Sequence, residues 1–200
     1  MQIEFHFDFG SPNAYLSHLV IPQLEQRTGI SIKYLPVLLG GVFKATNNVS
    51  PAVSMQGIKN KGEYAQIETQ RFVSRHNITA YNRNPFFPVN TLQIMRGAVY
   101  ADQSGFLETY VNEIYHHMWS DPKKMDDPQV MAQAMTSSGL PTEDILAGIQ
   151  DPEIKKKLIT NTERSVAMGT FGSPTFFVDS EMFFGKDKLD EFESLIKSRL

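Results

Sequence analysis

Two Ser-Pro pairs stand where this chain changes character: Ser11-Pro12, at the end of a short alternating segment, and Ser173-Pro174, at the start of another. In the first, the serine suits the N-cap of a helix and the proline its first turn, where no N–H is needed. On its own, Ser11 reads as a helix cap, and Pro174 as a proline before or at the edge of a strand. The sequence contains no cysteine, so the protein cannot supply a thiol, a disulfide or a thiolate metal ligand. Any sulfur chemistry must use a borrowed thiol. His116-His117 near Trp119 suggests a metal site, but neighbours on a helix point about 100° apart, and the pattern offers no carboxylate to complete the set. A surface or core role is expected for both histidines, and no metal. Asp8, three residues before Ser11, is either an acid tuning that turn or a structural hydrogen-bonding group. His6 reads as structural.

The elements that would position these residues follow from periodicity. Residues 2–9 alternate Ile3, Phe5, Phe7 and Phe9 with Glu4, His6 and Asp8, a strand with an apolar and a polar face. A helix follows from Pro12 to Gly29, with Pro22 inside it as a kink or a missing hydrogen bond. Residues 30–36 read as a second strand ending before Pro36. The middle is helical: 59–76 with Tyr64, Ile67 and Phe72 inward, a segment capped by Asn90 or Thr91, and 106–119 on a clear 3.6-residue period. Helices at 128–137 and 142–149 and a longer one from Pro152 to about Met168 complete the block. Two short strands, 174–178 and 182–184, then form a hairpin, and a last helix covers roughly 188–198.

The net charge of -3 gives no reason to expect nucleic acid or an anionic membrane as partner. No run approaches the roughly 18 apolar residues of a membrane helix, and Met1-Gln2-Ile3-Glu4 lacks the features of a signal peptide. The expectation is a cytoplasmic protein.

The order β-α-β, helical block, β-β-α is that of a thioredoxin-like α/β fold with a large all-helical insertion. The thioredoxin-like part covers 1–48 and 165–200, and the insertion 49–164. In that order the redox pair falls on Ser11-x-x-Ala14, so disulfide exchange is chemically impossible, and the fold's cis-proline falls on Pro174. Four stretches resemble the 2-hydroxychromene-2-carboxylate isomerase and kappa-class glutathione transferase family: Phe7 to Leu16, Val42 to Asn48, Phe87 to Thr91, and Phe171 to Leu189. The resemblance implies glutathione as cofactor, a small aromatic substrate and a homodimer. It puts the active-site serine on Ser11, donating to the sulfur of glutathione beside a helix N-terminus, where both effects favour thiolate. Asn48 matches the asparagine of the loop after the second strand, or merely shapes a turn. The backbone of Ser173, before Pro174 in cis, pairs with the cysteinyl part of the ligand. Gly185-Lys186-Asp187 matches the γ-glutamyl site, with Asp187 taking the ammonium or capping the last helix. Relatives often carry a small polar residue at Lys186, so only its backbone N–H is expected to serve. Tyr15, Phe43, Phe86, Phe87 and the Met-rich helices either line an apolar substrate pocket or form core. The implied activity is isomerisation by reversible thiolate addition. The rivals are a kappa-like transferase that conjugates electrophiles and a non-catalytic peptide-binding relative.

Overall fold

A computed structural model describes residues 1–200. Strand β1 (Ile3–Phe7) runs through the middle of a four-stranded sheet of order β2-β1-β3-β4. It pairs in parallel with β2 (Lys33–Pro36) and antiparallel with β3 (Thr175–Val178), which pairs antiparallel with β4 (Glu181–Phe184). The parallel β1–β2 pair requires a crossover, supplied by α1 (Pro12–Thr28). Gly29, in the left-handed conformation at φ 71°, ends that helix. Pro22 lies within α1 without ending it.

Between the halves of the sheet run α2 (Leu39–Thr46), α3 (Pro51–Ser54), α4 (Lys61–Arg75), α5 (Leu92–Ser104), α6 (Leu107–Trp119), α7 (Pro128–Ser137), α8 (Thr142–Gly148) and α9 (Pro152–Ala167). After β4 come a 3-10 turn (Lys186–Lys188) and α10 (Leu189–Ser198). One hydrophobic cluster runs through both parts of the chain. Phe5, Phe7 and Phe9 of the β1 segment meet Tyr110 and Tyr115 of α6 and Phe176 and Phe192 of the C-terminal part.

The polar face of β1 is as buried as its apolar face: Glu4 and His6 lie under Arg164 and Ser165 of α9, and Asp8 lies against the starts of α2 and α5. Three expectations change. Pro36 belongs to β2, its missing N–H tolerated at this end of the pairing with Phe7. The stretch before Asn48 is the helix α2 rather than a loop, with Asn47 ending it in the left-handed conformation at φ 53°. In α4 only Phe72 is buried. Tyr64 and Ile67 are exposed, because no element of the chain covers that face.

Candidate active site

The turn from β1 into α1 is built by a buried carboxylate. Asp8 accepts from Gly10 N at 2.8 Å and from Leu39 N at 2.7 Å, and from the Thr91 hydroxyl. It thereby ties the turn to the starts of α2 and α5. Burial pushes its pKa up, and the three donors counter part of that rise. Gly10 fits closely here: a methyl group on it would lie 3.2 Å from both Asp8 Oδ1 and Thr91 Cγ2, so those side chains would have to shift. Asp8 is thus the structural group that its alternative reading described, and it acts on Ser11 by shaping the turn.

Ser11 caps α1 as its position suggested, Oγ accepting from Ala14 N at 3.2 Å. Its hydroxyl donates to Ser173 O at 2.8 Å. The first turn of α1 holds no acidic residue, and the positive end of the helix dipole lies beside Ser11. Two Ser-Pro sites 162 residues apart therefore meet through one hydrogen bond. The Ser173-Pro174 peptide is cis, as is Phe87-Pro88.

Ser173 is half-buried, and its N–H makes no backbone hydrogen bond. Asn48 is exposed and already committed: Nδ2 donates to Phe171 O at 2.8 Å, and Oδ1 accepts from Val49 N at 2.8 Å. It fastens the segment after α2 to the approach to Ser173. Gly185, at φ 96°, donates its N–H to Pro174 O at 3.0 Å, which places Lys186 and Asp187 beside the same loop. Their backbone N–H groups make no backbone hydrogen bond.

Lys186 differs most from expectation. Its side chain is 4 % exposed, packed with its ammonium 5.1 Å from the centre of the Phe72 ring. The ammonium bonds both carboxylate oxygens of Asp187 at 2.8 Å. Asp187 is open to solvent, yet its charge is neutralised from within. It does not cap α10; no side-chain cap is made there. Sequence reasoning saw Lys186 as a missing polar contact, whereas the structure makes it the partner of Asp187.

The site also has an aromatic lip that periodicity does not single out. Phe171 and Phe184 pack with centroids 4.4 Å apart and their rings inclined at 47°, both partly exposed, beside Gly172 and Ser173. Of the other aromatics, Tyr15 is core, stacked on Tyr81 and tilted against Tyr115, and Phe87 packs on Trp119. Phe43 is half-buried, and Phe86 is exposed. His116 and His117 do meet a carboxylate, contrary to expectation: the α6 C-terminus folds Asp121 back so that one ligand atom from each lies within 4.8 Å of the others. The Lys123 ammonium fills that cluster, bonding Asp121 and lying 3.0 Å from His117 Nδ1.

The sheet order, the helix seated on a serine where a redox fold carries cysteine, and the cis-proline loop facing it define a thioredoxin-fold protein with no redox centre of its own. The chain belongs to the DsbA-like thioredoxin domain family, whose model matches residues 2–197. Within it, the chain is similar to 2-hydroxychromene-2-carboxylate isomerase of Sphingobium xenophagum, 27% identical over 97% of each chain. It is also 26% identical to glutathione S-transferase kappa 1 of Rattus norvegicus, over 94% of this chain and 87% of that one. A solved structure of 2-hydroxychromene-2-carboxylate isomerase superposes with a TM-score of 0.84 at 25% identity, covering 99% of this chain and 95% of the other. These relatives are enzymes, an isomerase and a transferase. No helix of this protein is long and apolar enough to cross a membrane.

Proposed function

We propose that the protein is a glutathione-dependent isomerase of 2-hydroxychromene-2-carboxylate-type aromatic substrates, working in the cytoplasm as a homodimer. The observation that carries this reading is the Ser11 hydroxyl at the N-terminus of α1, 2.8 Å from Ser173 O. The fit to glutathione is supported by two sets of open donors, the Ser173 N–H and the Lys186 and Asp187 N–H groups. They lie on one loop system, so an extended peptide-like molecule can pair with the first while its carboxylate meets the second.

When bound, glutathione supplies a thiolate that can add to a conjugated double bond and leave again. Ser11 supports this by turning its O–H from Ser173 O toward the sulfur, and the α1 dipole adds to the preference for negative charge. Ser173 and Pro174 hold the ligand backbone beside Ser11. Asn48 keeps Phe171 in place, and the partly exposed Phe171–Phe184 pair offers an apolar edge against which an aromatic ring can pack. Asp187 draws the ligand ammonium only in competition with Lys186, which weakens that contact. The helical insertion, residues 49–164, covers the substrate from the other side and excludes water.

Turnover tests the reading. Incubation with 2-hydroxychromene-2-carboxylate and a catalytic amount of glutathione should isomerise many equivalents of substrate with all glutathione recovered. Consumption of one glutathione per product would instead favour a kappa-like transferase. No binding of glutathione by calorimetry would favour a peptide-binding relative.

A further inference from the structure

A second cleft lies between α2, α5 and α9, with a volume of about 480 Å³. None of Ser11, Asn48, Ser173, Pro174 or Asp187 lines it. Its floor is apolar, formed by Leu38, Leu92, Leu158 and Val166, while Lys44 from α2, Arg96 from α5 and Lys155 from α9 stand around it. The three cations come from three different helices, so no helical periodicity explains their convergence. One carboxylate, Glu163, faces them.

None of the three cations is held by a carboxylate. No ion pair of the protein includes Lys44, Arg96, Lys155 or Glu163. Arg96 is half-buried and makes no side-chain hydrogen bond, whereas Lys155 reaches only Gln150 Oε1, at 3.4 Å. A guanidinium held against an apolar floor without a counter-ion presents a planar fork of donors that fits a carboxylate. The backbone keeps the cleft in shape. Thr162 Oγ1 accepts from Leu38 N at 2.9 Å and donates to Leu158 O at 2.8 Å. The absence of a side chain at Gly41 lets α2 lie close, a methyl there falling 3.1 Å from Thr162 Cγ2.

We propose that this cleft binds a small amphipathic carboxylate, its charge on Arg96 with Lys44 and Lys155 nearby, and its apolar body on Leu92, Leu158 and Val166. The size suits this class: ligand pockets typically run from about 300 to 1,000 Å³ and are mostly apolar with a few placed polar groups. A bare phosphate would leave the apolar floor unused. The other large cleft, about 460 Å³ between α1, β2 and α6, has the opposite character. Its charged lining groups are Glu25 and Glu108, and burial pushes His18 there down to about 4, leaving it neutral. That cleft repels an anion and serves as an internal control.

Calorimetric titration of the full chain with 4-phenylbutyrate, and separately with inorganic phosphate, tests the proposal. Phenylbutyrate should bind and phosphate should not; added salt should weaken the binding. Arg96→Gln should weaken it about tenfold or more, as expected for a lost charge-assisted hydrogen bond, and Ser11→Ala should leave it unchanged. Amide shifts in nitrogen-15 spectra of the wild-type protein, which need no variant, should cluster on Ala45, Ile159 and Val166. No binding, equal affinity for phosphate, an unaffected Arg96→Gln, or shifts clustered at Gly10 and Asn13 would each overturn the assignment.

Discussion

Two serines lie near the C-terminal end of β1, Ser165 paired with a histidine and Ser11 with a backbone carbonyl, and residue types alone would choose the wrong one. Ser165 Oγ lies 2.8 Å from His6 Nδ1, and His6 Nε2 lies 3.2 Å from Glu4 Oε2, which also pairs with Arg164 at 2.6 Å. Nucleophile, base and acid stand in the order used by hydrolytic enzymes. Yet Ser165 and His6 are 0 % exposed and Glu4 1 %, under α9, so no substrate can reach the hydroxyl. Ser11 has no base at all. It has a helix N-terminus, an open loop opposite and an aromatic lip beside it. A serine that must activate its own oxygen needs a base, whereas one that stabilises another molecule's thiolate needs a donor and a positive field. The contrast makes the first serine structural and supports the chemistry proposed for the second.

The largest expected effect breaks the structural side. His6→Ala leaves the Ser165 hydroxyl and one face of Glu4 without a partner and opens a cavity in the sheet, for a loss of about 2–4 kcal/mol. Urea unfolding measures this, and glutathione affinity of the folded fraction should not change. Were His6 part of the site, binding would fall with stability.

Acid should destabilise the same region. Burial pushes His6 and His18 down to about 4, well below the roughly 6.5 of an unfolded histidine. Between those values the unfolded chain takes up protons that the folded one refuses. The stability of the neutral histidines is therefore complete above about pH 6.5 and drains away as pH falls toward 4. Asp8 opposes this, since its raised pKa lets the folded state bind a proton first. Glu193, pushed down to about 2 by the Arg27 guanidinium, loses its contribution only at lower pH. The melting temperature should drop by about 5–10 °C from pH 7 to pH 4, and by less in a His6→Gln variant.

The particular residues show why some of this was legible. Ser11-Pro12 and Asp151-Pro152 announce helix starts because caps and N1 prolines are local, and both hold in the structure. The strand at β1 was visible from alternation, but the burial of its polar face was not. That depends on α9, some 160 residues away, bringing Ser165 and Arg164 across it. Tyr64 and Ile67 follow a helical period and still face outward, because period gives a face and not what covers it. The meeting of Ser11 with Ser173 follows from fold order. The pairing of Lys186 with Asp187, like the return of Asp121 to His116 and His117, depends on local backbone geometry that no spacing rule encodes.

A smaller effect sharpens the chemical side. Because the Lys186 ammonium holds the exposed Asp187 carboxylate, Asp187→Asn should weaken glutathione binding by less than about fivefold, an exposed pair being worth about 1 kcal/mol or less. Lys186→Met, which frees the carboxylate, should tighten it slightly. Calorimetry on the two variants separates competition from mere structure, since a structural role would lower affinity in both.

The most direct test of the account is the acidity of the bound thiol. Ultraviolet thiolate absorbance of the glutathione complex, followed with pH, should titrate at lower pH than free glutathione. In Ser11→Ala the shift should shrink as a hydrogen bond worth about 1.5–3 kcal/mol to a charged acceptor is lost, while the fold loses only about 1 kcal/mol with its helix cap. A bound thiol that titrates like the free one, or a shift that survives Ser11→Ala in full, would contradict the role given to Ser11.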